Sequence, residues 1–321
     1  LPNADVTVLE KSRGVCGRAA TRRRGPYTYD YGANYVREDE RVAALLTEEL
    51  DRDGLVDVEE PVYTFDGDGN VSPGRDEEGA KWTYREGLTQ IAKRLFAGTD
   101  ATIRHETRVE TLRRDDGAWT LVDADGEAHG PFDAVVLNPP APQSATLLAD
   151  AEWDDPARET LRAAAADVSY RTIWTAALGY EAGIERPYYA LVNTDDEHDL
   201  GWLSREECKP GHVPDGESVL IAQAAPGWSR ARYDADHAEN VADLADLAAD
   251  VLDEPRLAEP DWWDYQGWRY ALPDGRADPE AVRAAEERGL YAVGDWVAGE
   301  DRVGAALSCG LDAAERLAAE Y

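Results

Sequence analysis

The first 35 residues constrain the fold more than any other stretch of the chain. A short β-rich run, residues 5–9, ends on the carboxylate of Glu10 and is followed by a basic loop that carries Gly14 and Gly17. In a dinucleotide-binding βαβ unit, the second strand ends on an acidic residue that binds ribose hydroxyls, about 20 residues after a glycine-rich phosphate loop. Only nine residues precede Glu10, so we expect the first strand and that loop to lie outside this sequence.

Two further motifs accompany this start. Residues 29–35 read Tyr-Asp-Tyr-Gly-Ala-Asn-Tyr, and residues 289–293 form a short apolar run that ends in Gly294-Asp295. A glycine-bearing segment over 302–310 follows and leads into a predicted helix over 311–321. Both ends of the chain therefore carry a carboxylate and glycines directly after a short strand-like run.

The order of these motifs resembles the FAD-dependent amine-oxidase superfamily. Internal motifs narrow the resemblance to its renalase-like branch of NAD(P)/FAD-dependent oxidoreductases. These motifs are Gly-Trp-Leu-Ser-Arg at 201–205, Lys-Pro-Gly at 209–211, Pro-Gly-Trp-Ser-Arg-Ala at 226–231 and Trp-Arg-Tyr-Ala-Leu-Pro at 268–273. The resemblance covers most of the chain.

The resemblance implies an α/β protein with a Rossmann-like FAD-binding domain, lacking its first strand and glycine loop, and an inserted antiparallel-sheet substrate domain. We expect residues 1–57, 81–145 and 284–321 to build the FAD-binding domain. Residues 58–80 and 146–283 are expected to build the substrate domain. Several strands with one or two helices in 168–252 favour an antiparallel sheet covered on one side.

The resemblance also implies the residues that contact FAD. The Glu10 carboxylate would bind the adenosine ribose, Val109 would contribute backbone contacts near the adenine, and Asp295 would bind the ribityl hydroxyls. The helix after Asp295 would direct its amino end at the flavin N1/C2=O edge. The full predicted set is Glu10, Lys11, Arg18, Ala33, Asn34, Tyr35, Val109, Gly294, Asp295, Val303, Gly304 and Ala305.

Some positions depart from the family pattern. Gly304 stands where Glu is common, Ala305 where Gly is common and Cys309 where Ser is common. Cys16 stands where a second Gly is usual, and we interpret both cysteines as small space-filling residues because no base is placed beside either. Arg13 and Arg18 are each either a pyrophosphate contact or a surface cation. We interpret the basic run 22–24 as a solvated turn, with a phosphate contact as the alternative.

Aromatic side chains are the candidates for the substrate pocket, although large aromatics at strand positions more often belong to the core. They are Tyr63, Trp82, Tyr189, Trp202, Trp228 and Trp268, with Tyr35 beside them. The sequence has no Ser-His-Asp or Cys-His spacing, so no catalytic side chain is assigned. A flavin enzyme does not require one, because the cofactor carries the redox chemistry.

These patterns predict an FAD-dependent oxidoreductase that transfers hydride from a small substrate to flavin N5, with O₂ as acceptor. The renalase-like resemblance implies a dihydronicotinamide-type substrate, and a dinucleotide is one candidate. A general flavin amine oxidase is the alternative within the same class. The alternative outside it is a non-catalytic fragment that cannot hold FAD, because the phosphate-binding loop is expected to lie outside the sequence.

Composition bounds the partners and the location. A formal charge of −33 in 321 residues repels nucleic acid and anionic membranes, so neither is an expected partner. We interpret this charge as a halophilic adaptation to a salt-rich cytoplasm. The three cysteines and five histidines show no disulfide or metal-ligand spacing, so no metal site is predicted. No apolar run approaches the roughly 20 residues that span a bilayer.

Periodicity adds expectations for individual elements. Helices are predicted over 40–50, from Trp82 through Phe96, over 143–166 and over 238–252, and a strand over 61–65. A turn is predicted at Asp115-Asp116-Gly117 after the strand-like run 107–112, and Asp125-Gly126, which follows the run 118–122, is a hairpin signature. The apolar run 133–137 predicts a strand that is covered on both faces.

Overall fold

The structure, a computed structural model, describes residues 4–37, 40–74, 79–300 and 302–320. Its strands are β1 Thr7–Leu9, β2 Thr21–Arg24, β3 Tyr27–Asp30, β4 Val36–Arg37, β5 Leu55–Asp57, β6 Val62–Phe65, β7 Val71–Ser72, β8 Lys81–Tyr84, β9 Thr102–Arg104, β10 Val109–Asp115, β11 Ala118–Asp123, β12 Ala128–Phe132, β13 Val135–Leu137, β14 Ser169–Tyr180, β15 Ala190–Asn193, β16 Leu200–Arg205, β17 Ser218–Ala224, β18 Trp262–Asp274 and β19 Leu290–Ala292. Its α-helices are α1 Glu40–Ala44, α2 Thr89–Ala97, α3 Ala141–Ala149, α4 Pro156–Ala166, α5 Pro226–Ala231, α6 His237–Val251, α7 Pro279–Glu286, α8 Asp295–Ala298 and α9 Val303–Glu320. A π-helix, Leu45–Glu49, continues α1.

The chain divides into two compact units. Unit 1 comprises Leu1–Gly17, Leu95–Tyr170 and Leu272–Tyr321, and unit 2 comprises Arg18–Arg94 and Arg171–Ala271. The predicted domain ranges include residues 1–3, 38–39, 75–78, 301 and 321, which lie outside the described residues. The domain boundaries drawn from the sequence remain a prediction.

Unit 1 is built from short sheets and helices. β1 pairs with β9 in parallel, β13 pairs with β19 in parallel, and β10, β11 and β12 form an antiparallel sheet. The hairpin signature Asp125-Gly126 is confirmed, because these residues lie between the antiparallel strands β11 and β12. The predicted turn at 115–117 is confirmed as well: it joins β10 to β11 at Asp116 and Gly117, whose φ angles are +50° and +88°. Both are left-handed, as a two-residue turn of this kind requires. Leu112, Trp119, Leu137 and Leu290 lie in the core of this unit.

Unit 2 contains a seven-stranded sheet in the order β18-β14-β17-β16-β15-β6-β7. The β15–β6 pair is parallel, whereas β14–β17, β16–β17 and β15–β16 are antiparallel. Alternate residues of β14 point to opposite faces, as the strand period requires. Leu178 packs in the core that includes Leu244 of α6, whereas Ala177 packs with Tyr29 of β3.

Helix α6 follows from local sequence. Asp236 precedes it, and its side chain accepts hydrogen bonds from the backbone N–H groups of Ala238 and Glu239. Such a cap satisfies donors that have no partner within the helix. Val241, Leu244, Ala245 and Ala248 repeat at helical spacing and are buried.

Three expectations for individual elements are wrong. Trp82, Thr83 and Tyr84 lie in strand β8, and the helix begins only at Thr89. This aromatic and β-branched run suits a strand. Gly87, whose φ is +86°, separates the strand from the helix.

The second correction concerns β13, which is not covered on both faces. Val135 and Leu137 are buried, but Val136 is 50% exposed. The third concerns the last helix, which begins at Val303 and not at 311. Gly304 and Gly310 are part of this helix, and Tyr321 lies outside the described residues.

The basic run 22–24 is not a solvated turn either. Arg22 lies in β2 and donates hydrogen bonds to Asp264 Oδ2 at 3.0 Å and to the carbonyl of Tyr265 at 2.8 Å. Its guanidinium also lies 4.2 Å from the ring centre of Tyr31. This arginine therefore joins β2 to β18 within unit 2.

Candidate functional site

Two parallel strands of unit 1 end side by side, and polar residues follow both. Leu137 of β13 lies opposite Ala292 of β19, so the carboxyl ends of the two strands point the same way. Asn138 follows β13, and Gly294 and Asp295 come shortly after β19. In open parallel sheets, ligands bind in the crevice at the carboxyl ends of the strands. This edge is therefore the candidate site of unit 1.

The turn after β19 holds a carboxylate in a fixed orientation. Gly294 has a φ of +117°, in the region that favours glycine. Asp295 is 6% exposed, and its Oδ1 accepts a hydrogen bond from the backbone N–H of Trp296 at 2.9 Å. The indole N–H of Trp296 donates to the carbonyl of Pro139 at 3.1 Å. The backbone around Asp295 is thus tied to the segment that follows β13.

Helix α9 begins shortly after this turn. Its first three residues are the predicted cofactor contacts Val303, Gly304 and Ala305, and Gly304 is buried. The N–H of Ala306 already donates to the carbonyl of Arg302 at 3.1 Å. The first N–H groups of an α-helix have no acceptor within the helix itself, and the positive end of the helix dipole lies beside them. The arrangement suits an electronegative edge of a ligand.

Glu10 lies at the end of β1, as predicted. Its N–H donates to the carbonyl of Arg104 at 2.9 Å, and its own carbonyl accepts the N–H of Thr107 at 2.9 Å. Its Oε1 accepts the backbone N–H of Ser12 at 2.7 Å. Lys11 is exposed. The carboxylate is therefore turned towards the basic loop that follows the strand.

The predicted contacts of unit 1 do not share one sheet. Glu10 follows the β1–β9 sheet, Asp295 follows the β13–β19 sheet, and Val109 opens β10 of the antiparallel sheet, opposite Asp123. Val109 packs against the core that includes Leu137. Their joint role in holding one cofactor stays a prediction.

The remaining predicted contacts, Arg18, Ala33, Asn34 and Tyr35, lie in unit 2, where the backbone of Arg18 lies against that of Ala33. The carbonyl of Arg18 accepts the N–H of Ala33 at 2.9 Å, and its Nη1 donates to the carbonyl of Ala271 at 2.8 Å. Asn34 Oδ1 accepts a hydrogen bond from Ser204 Oγ at 3.3 Å. We call residues 30–35, the Asp-Tyr-Gly-Ala-Asn-Tyr run, the 30–35 segment.

The aromatic residues predicted for the substrate pocket lie in several places within unit 2. Tyr35, Tyr189 and Trp202 form a cluster with ring centres 6.2–6.4 Å apart. Trp268 stacks on Tyr31 at 5.3 Å and donates its indole N–H to the carbonyl of that residue. Three others stand apart: Tyr63 beside Tyr188, Trp82 in β8 and Trp228 beside Trp174.

Sequence reasoning missed a group of buried charges next to the 30–35 segment. Lys209 Nζ lies 3.1 Å from Asp30 Oδ2 and 2.7 Å from Glu206 Oε1. His212 Nδ1 lies 2.8 Å from Glu206 Oε2. The only signal in the sequence was that Lys209, one of only four lysines in the chain, belongs to the Lys-Pro-Gly motif. Contacts that join residues 179 positions apart leave no periodic pattern in the sequence.

These charges shift one another's titration. Burial alone would raise the pKa of Asp30, but the ammonium of Lys209 and the ring of His212, with hydrogen bonds from Thr21 and Leu88, hold it below its ordinary value. Burial alone would lower the pKa of Lys209, but the carboxylates of Asp30 and Glu206 raise it above its ordinary value. Both groups are therefore charged near neutral pH.

Two groups of metal-ligand side chains occur among the described residues. Asp30, Glu206 and His212 have ligand atoms within 4.8 Å of one another, but the Lys209 ammonium already supplies the cation there. The other group is Asp123, Glu127 and His129 in the β11–β12 hairpin.

The second group also has its own hydrogen bonds. His129 Nε2 lies 2.8 Å from Asp123 Oδ2, and its Nδ1 lies 3.3 Å from Arg104 Nη1. The hydrogen bond from His129, ahead of the opposing effect of burial, lowers the pKa of Asp123.

In the part of the chain that the structure describes, no helix has the length and apolar character needed to cross a membrane.

Comparison with known families gives two matches. Residues 71–318 match the family described as Flavin containing amine oxidoreductase. Residues 2–48 match the NAD(P)-binding Rossmann-like domain. The first match covers well over half of the chain. The second covers the stretch that contains strand β1, the carboxylate of Glu10 and the 30–35 segment.

Solved structures share the fold at low sequence identity. Cyclohexylamine oxidase from Brevibacterium oxydans IH-35A is 14% identical, with a TM-score of 0.75 over 99% of this chain and 94% of that chain. Putrescine oxidase bound to putrescine is 11% identical, with a TM-score of 0.74 over 99% and 94%. A fatty acid isomerase from P. acnes is 13% identical, with a TM-score of 0.67 over 97% and 92%. The fold is therefore a Rossmann-like FAD domain plus an antiparallel-sheet substrate domain.

Proposed function

We propose, since this chain belongs to the flavin containing amine oxidoreductase family, that it is an FAD-dependent oxidoreductase acting on a small molecule. The family match over residues 71–318 is the observation that carries this proposal. When bound, FAD supplies the hydride acceptor at its isoalloxazine ring. The protein supplies binding, orientation and polarity.

The residues of unit 1 fit such a cofactor. Gly294 adopts a backbone conformation that L side chains rarely reach, and Gly304 is buried in the first turn of α9. Neither residue has a side chain to keep a ligand away from the backbone. Asp295 offers a buried carboxylate next to this backbone, and carboxylates bind hydroxyl groups strongly.

Each residue then has its own role. Asp295 would accept hydrogen bonds from the ribityl hydroxyls, and Glu10 would accept hydrogen bonds from the adenosine ribose. The first N–H groups of α9, from Val303 to Ala305, would donate to the flavin N1/C2=O edge and favour negative charge there. Ala33, Asn34 and Tyr35 of the 30–35 segment would supply further contacts.

The substrate is either an amine or a dihydronicotinamide. The solved structures named for cyclohexylamine and putrescine support the amine. The renalase-like motifs at 201–205, 209–211, 226–231 and 268–273 support the dihydronicotinamide. A fatty acid isomerase shares this fold, so the fold alone does not determine the reaction. We favour the dihydronicotinamide, with O₂ as acceptor, because the motifs are features of this sequence itself.

The test is anaerobic reduction of the purified flavoprotein in high salt, followed at the flavin band near 450 nm, a wavelength set by the isoalloxazine. Dihydronicotinamide isomers, cyclohexylamine and putrescine are added separately, with free FAD as the control. The proposal predicts stoichiometric bleaching by a dihydronicotinamide, followed by equimolar H₂O₂ when air is admitted. Bleaching by the amines alone would favour the amine-oxidase alternative, and bleaching by none would contradict oxidation of either class.

A further inference from the structure

Four buried charged side chains surround the start of the 30–35 segment. Asp30, Glu206, Lys209 and His212 are each 0% exposed. Lys209 lies between the two carboxylates, at 3.1 Å from Asp30 and 2.7 Å from Glu206. Nearby, the Lys209 ammonium also lies 5.8 Å from the ring centre of Tyr189. These four residues with Tyr189 are the titratable groups that face one another here.

The histidine ring lies between two oxygen atoms. His212 Nδ1 faces Glu206 Oε2 at 2.8 Å, and its Nε2 faces the carbonyl oxygen of Tyr84 at 3.0 Å. The Lys209 ammonium is the cation that lies between the carboxylates of Asp30 and Glu206. Removing one cation leaves an uncompensated buried charge, which is far costlier than removing a matched pair.

Asp30 links the buried charged group to the backbone through its hydrogen bonds. Its carboxylate accepts hydrogen bonds from Thr21 Oγ1 at 2.6 Å and from the N–H of Leu88 at 3.0 Å. Its own N–H donates to Glu206 Oε2 at 3.1 Å. Asp30 is therefore fixed by its side chain and its backbone together.

The rest of the segment is held from strands of the same unit. Gln223 Nε2 donates to the carbonyl of Gly32 at 2.7 Å, and Trp268 Nε1 donates to the carbonyl of Tyr31 at 3.0 Å. Ser204 Oγ donates to Asn34 Oδ1 at 3.3 Å. Side chains from β18, β17 and β16 thus hold Tyr31, Gly32 and Asn34, while the charged group holds Asp30, the first residue of the segment.

We infer that Lys209 is a positioning residue, whose buried ammonium holds Asp30 and thereby fixes the 30–35 segment for contact with the cofactor. This inference rests on the proposed function, because it is the cofactor that the positioned segment would contact. Lys209 acts through Asp30 and Glu206 and need not touch substrate or cofactor. A compact ammonium with three donors suits a point where two carboxylates and an aromatic face meet.

The variants are Lys209→Met, Lys209→Met/Asp30→Asn and a matched control, Arg205→Met. Arg205 is also buried in unit 2 and donates to the carbonyls of Ile184 and Tyr188. The control therefore removes a buried cation of the same unit from carbonyls outside the 30–35 segment. Backbone hydrogen exchange of the segment is measured by mass spectrometry at pH 5 and pH 7.5, corrected for intrinsic rates. FAD affinity is measured in parallel by difference absorbance.

Lys209→Met is expected to speed exchange of the segment by about tenfold or more at pH 7.5, because a buried carboxylate loses its partner. The effect should be smaller at pH 5 than at pH 7.5, since loss of the Lys209 ammonium raises the pKa of the buried Asp30 carboxyl and a neutral carboxyl needs no cation beside it. The double variant should restore slow exchange, and FAD affinity should follow the same order. Arg205→Met should leave the segment's exchange close to that of the wild type.

Other outcomes separate the two ideas. Unchanged exchange in Lys209→Met, or a change matched by Arg205→Met, would overturn the positioning role. Faster exchange with unchanged FAD affinity would overturn it as well. If Lys209→Met fails to fold, folding of the double variant supports the coupling and failure of both overturns it. A wild-type protein with an ordered segment but no affinity for FAD would contradict the proposed function instead.

Discussion

Substituting Gly32 by alanine should damage unit 2 more than any ordinary surface change. A Cβ at Gly32 would lie 2.1 Å from the carbonyl oxygen of Arg18 and 3.1 Å from Trp268 Cζ2. The first distance is more than an ångström inside an ordinary nonbonded contact of roughly 3.5 Å. Because the obstacle is backbone, no side-chain rotation relieves it. The backbones must separate, which also breaks the hydrogen bond from Ala33 to Arg18.

The two effects give the magnitude. Overpacking costs about 1–3 kcal/mol, and a lost backbone hydrogen bond costs about 1 kcal/mol more. We therefore expect Gly32→Ala to lower the free energy of unfolding by about 3 kcal/mol, roughly a hundredfold in the folding equilibrium. The assay is urea denaturation followed by tryptophan fluorescence, read as a midpoint shift at unchanged slope.

Gly227→Ala is the matched control. Gly227 lies in α5 of the same unit, and a Cβ there would meet nothing within 4 Å. Its substitution should stabilise the protein by up to about 1 kcal/mol, because alanine favours helix. A Gly32→Ala protein within about 0.5 kcal/mol of the wild type would refute the steric reasoning, since that is the range of neutral surface changes.

Two further changes test the strain and the buried charges. Cys16 has a φ of +85°, so Cys16→Gly should remove about 1–3 kcal/mol of backbone strain from the folded state. Glycine also makes the unfolded chain more flexible, which should lower the free energy of unfolding by about 0.4–1 kcal/mol. The net gain should appear as a higher thermal midpoint, and a lower midpoint would count against it. Burial raises the pKa of Glu207 to about 7, above an unfolded value of about 4.3. Its contribution to stability is therefore present below pH 4 and lost as the pH rises through 7. Glu207→Gln should flatten the decline of stability between those pH values in denaturant titrations, and an unchanged slope would show that Glu207 does not cause it.

Local patterns predicted much of the fold. The hairpin of β10 and β11 and helix α6 follow from turn residues, caps and apolar period, which lie within a few positions of one another. Cys16 is a further case, because its place in a glycine position of the family pattern agrees with its left-handed backbone. Such features depend on neighbouring residues, so the sequence alone shows them.

The errors concern features that depend on distant parts of the chain. The exposure of Val136 depends on which elements cover β13, and no residue near it carries that information. Helix α9 includes Gly304 and Gly310, which propensity alone would place in a loop. A Cβ at Gly310 would meet nothing within 4 Å, so packing does not explain that glycine. The pairing of Lys209 with Asp30 requires the folded sheet.

The central claim, that the end of β19 and the start of α9 hold FAD, is tested most directly by titrating FAD into the wild type and Asp295→Asn. A charge-assisted hydrogen bond is worth about 1.5–3 kcal/mol, so the variant should bind FAD roughly 10- to 150-fold more weakly. Asp123→Asn, which alters a buried aspartate of the same unit, serves as the control and should bind FAD like the wild type. Saturable binding by the wild type with this loss confined to Asp295→Asn would support the account. No binding by the wild type, or equal binding by wild type and Asp295→Asn, would contradict it.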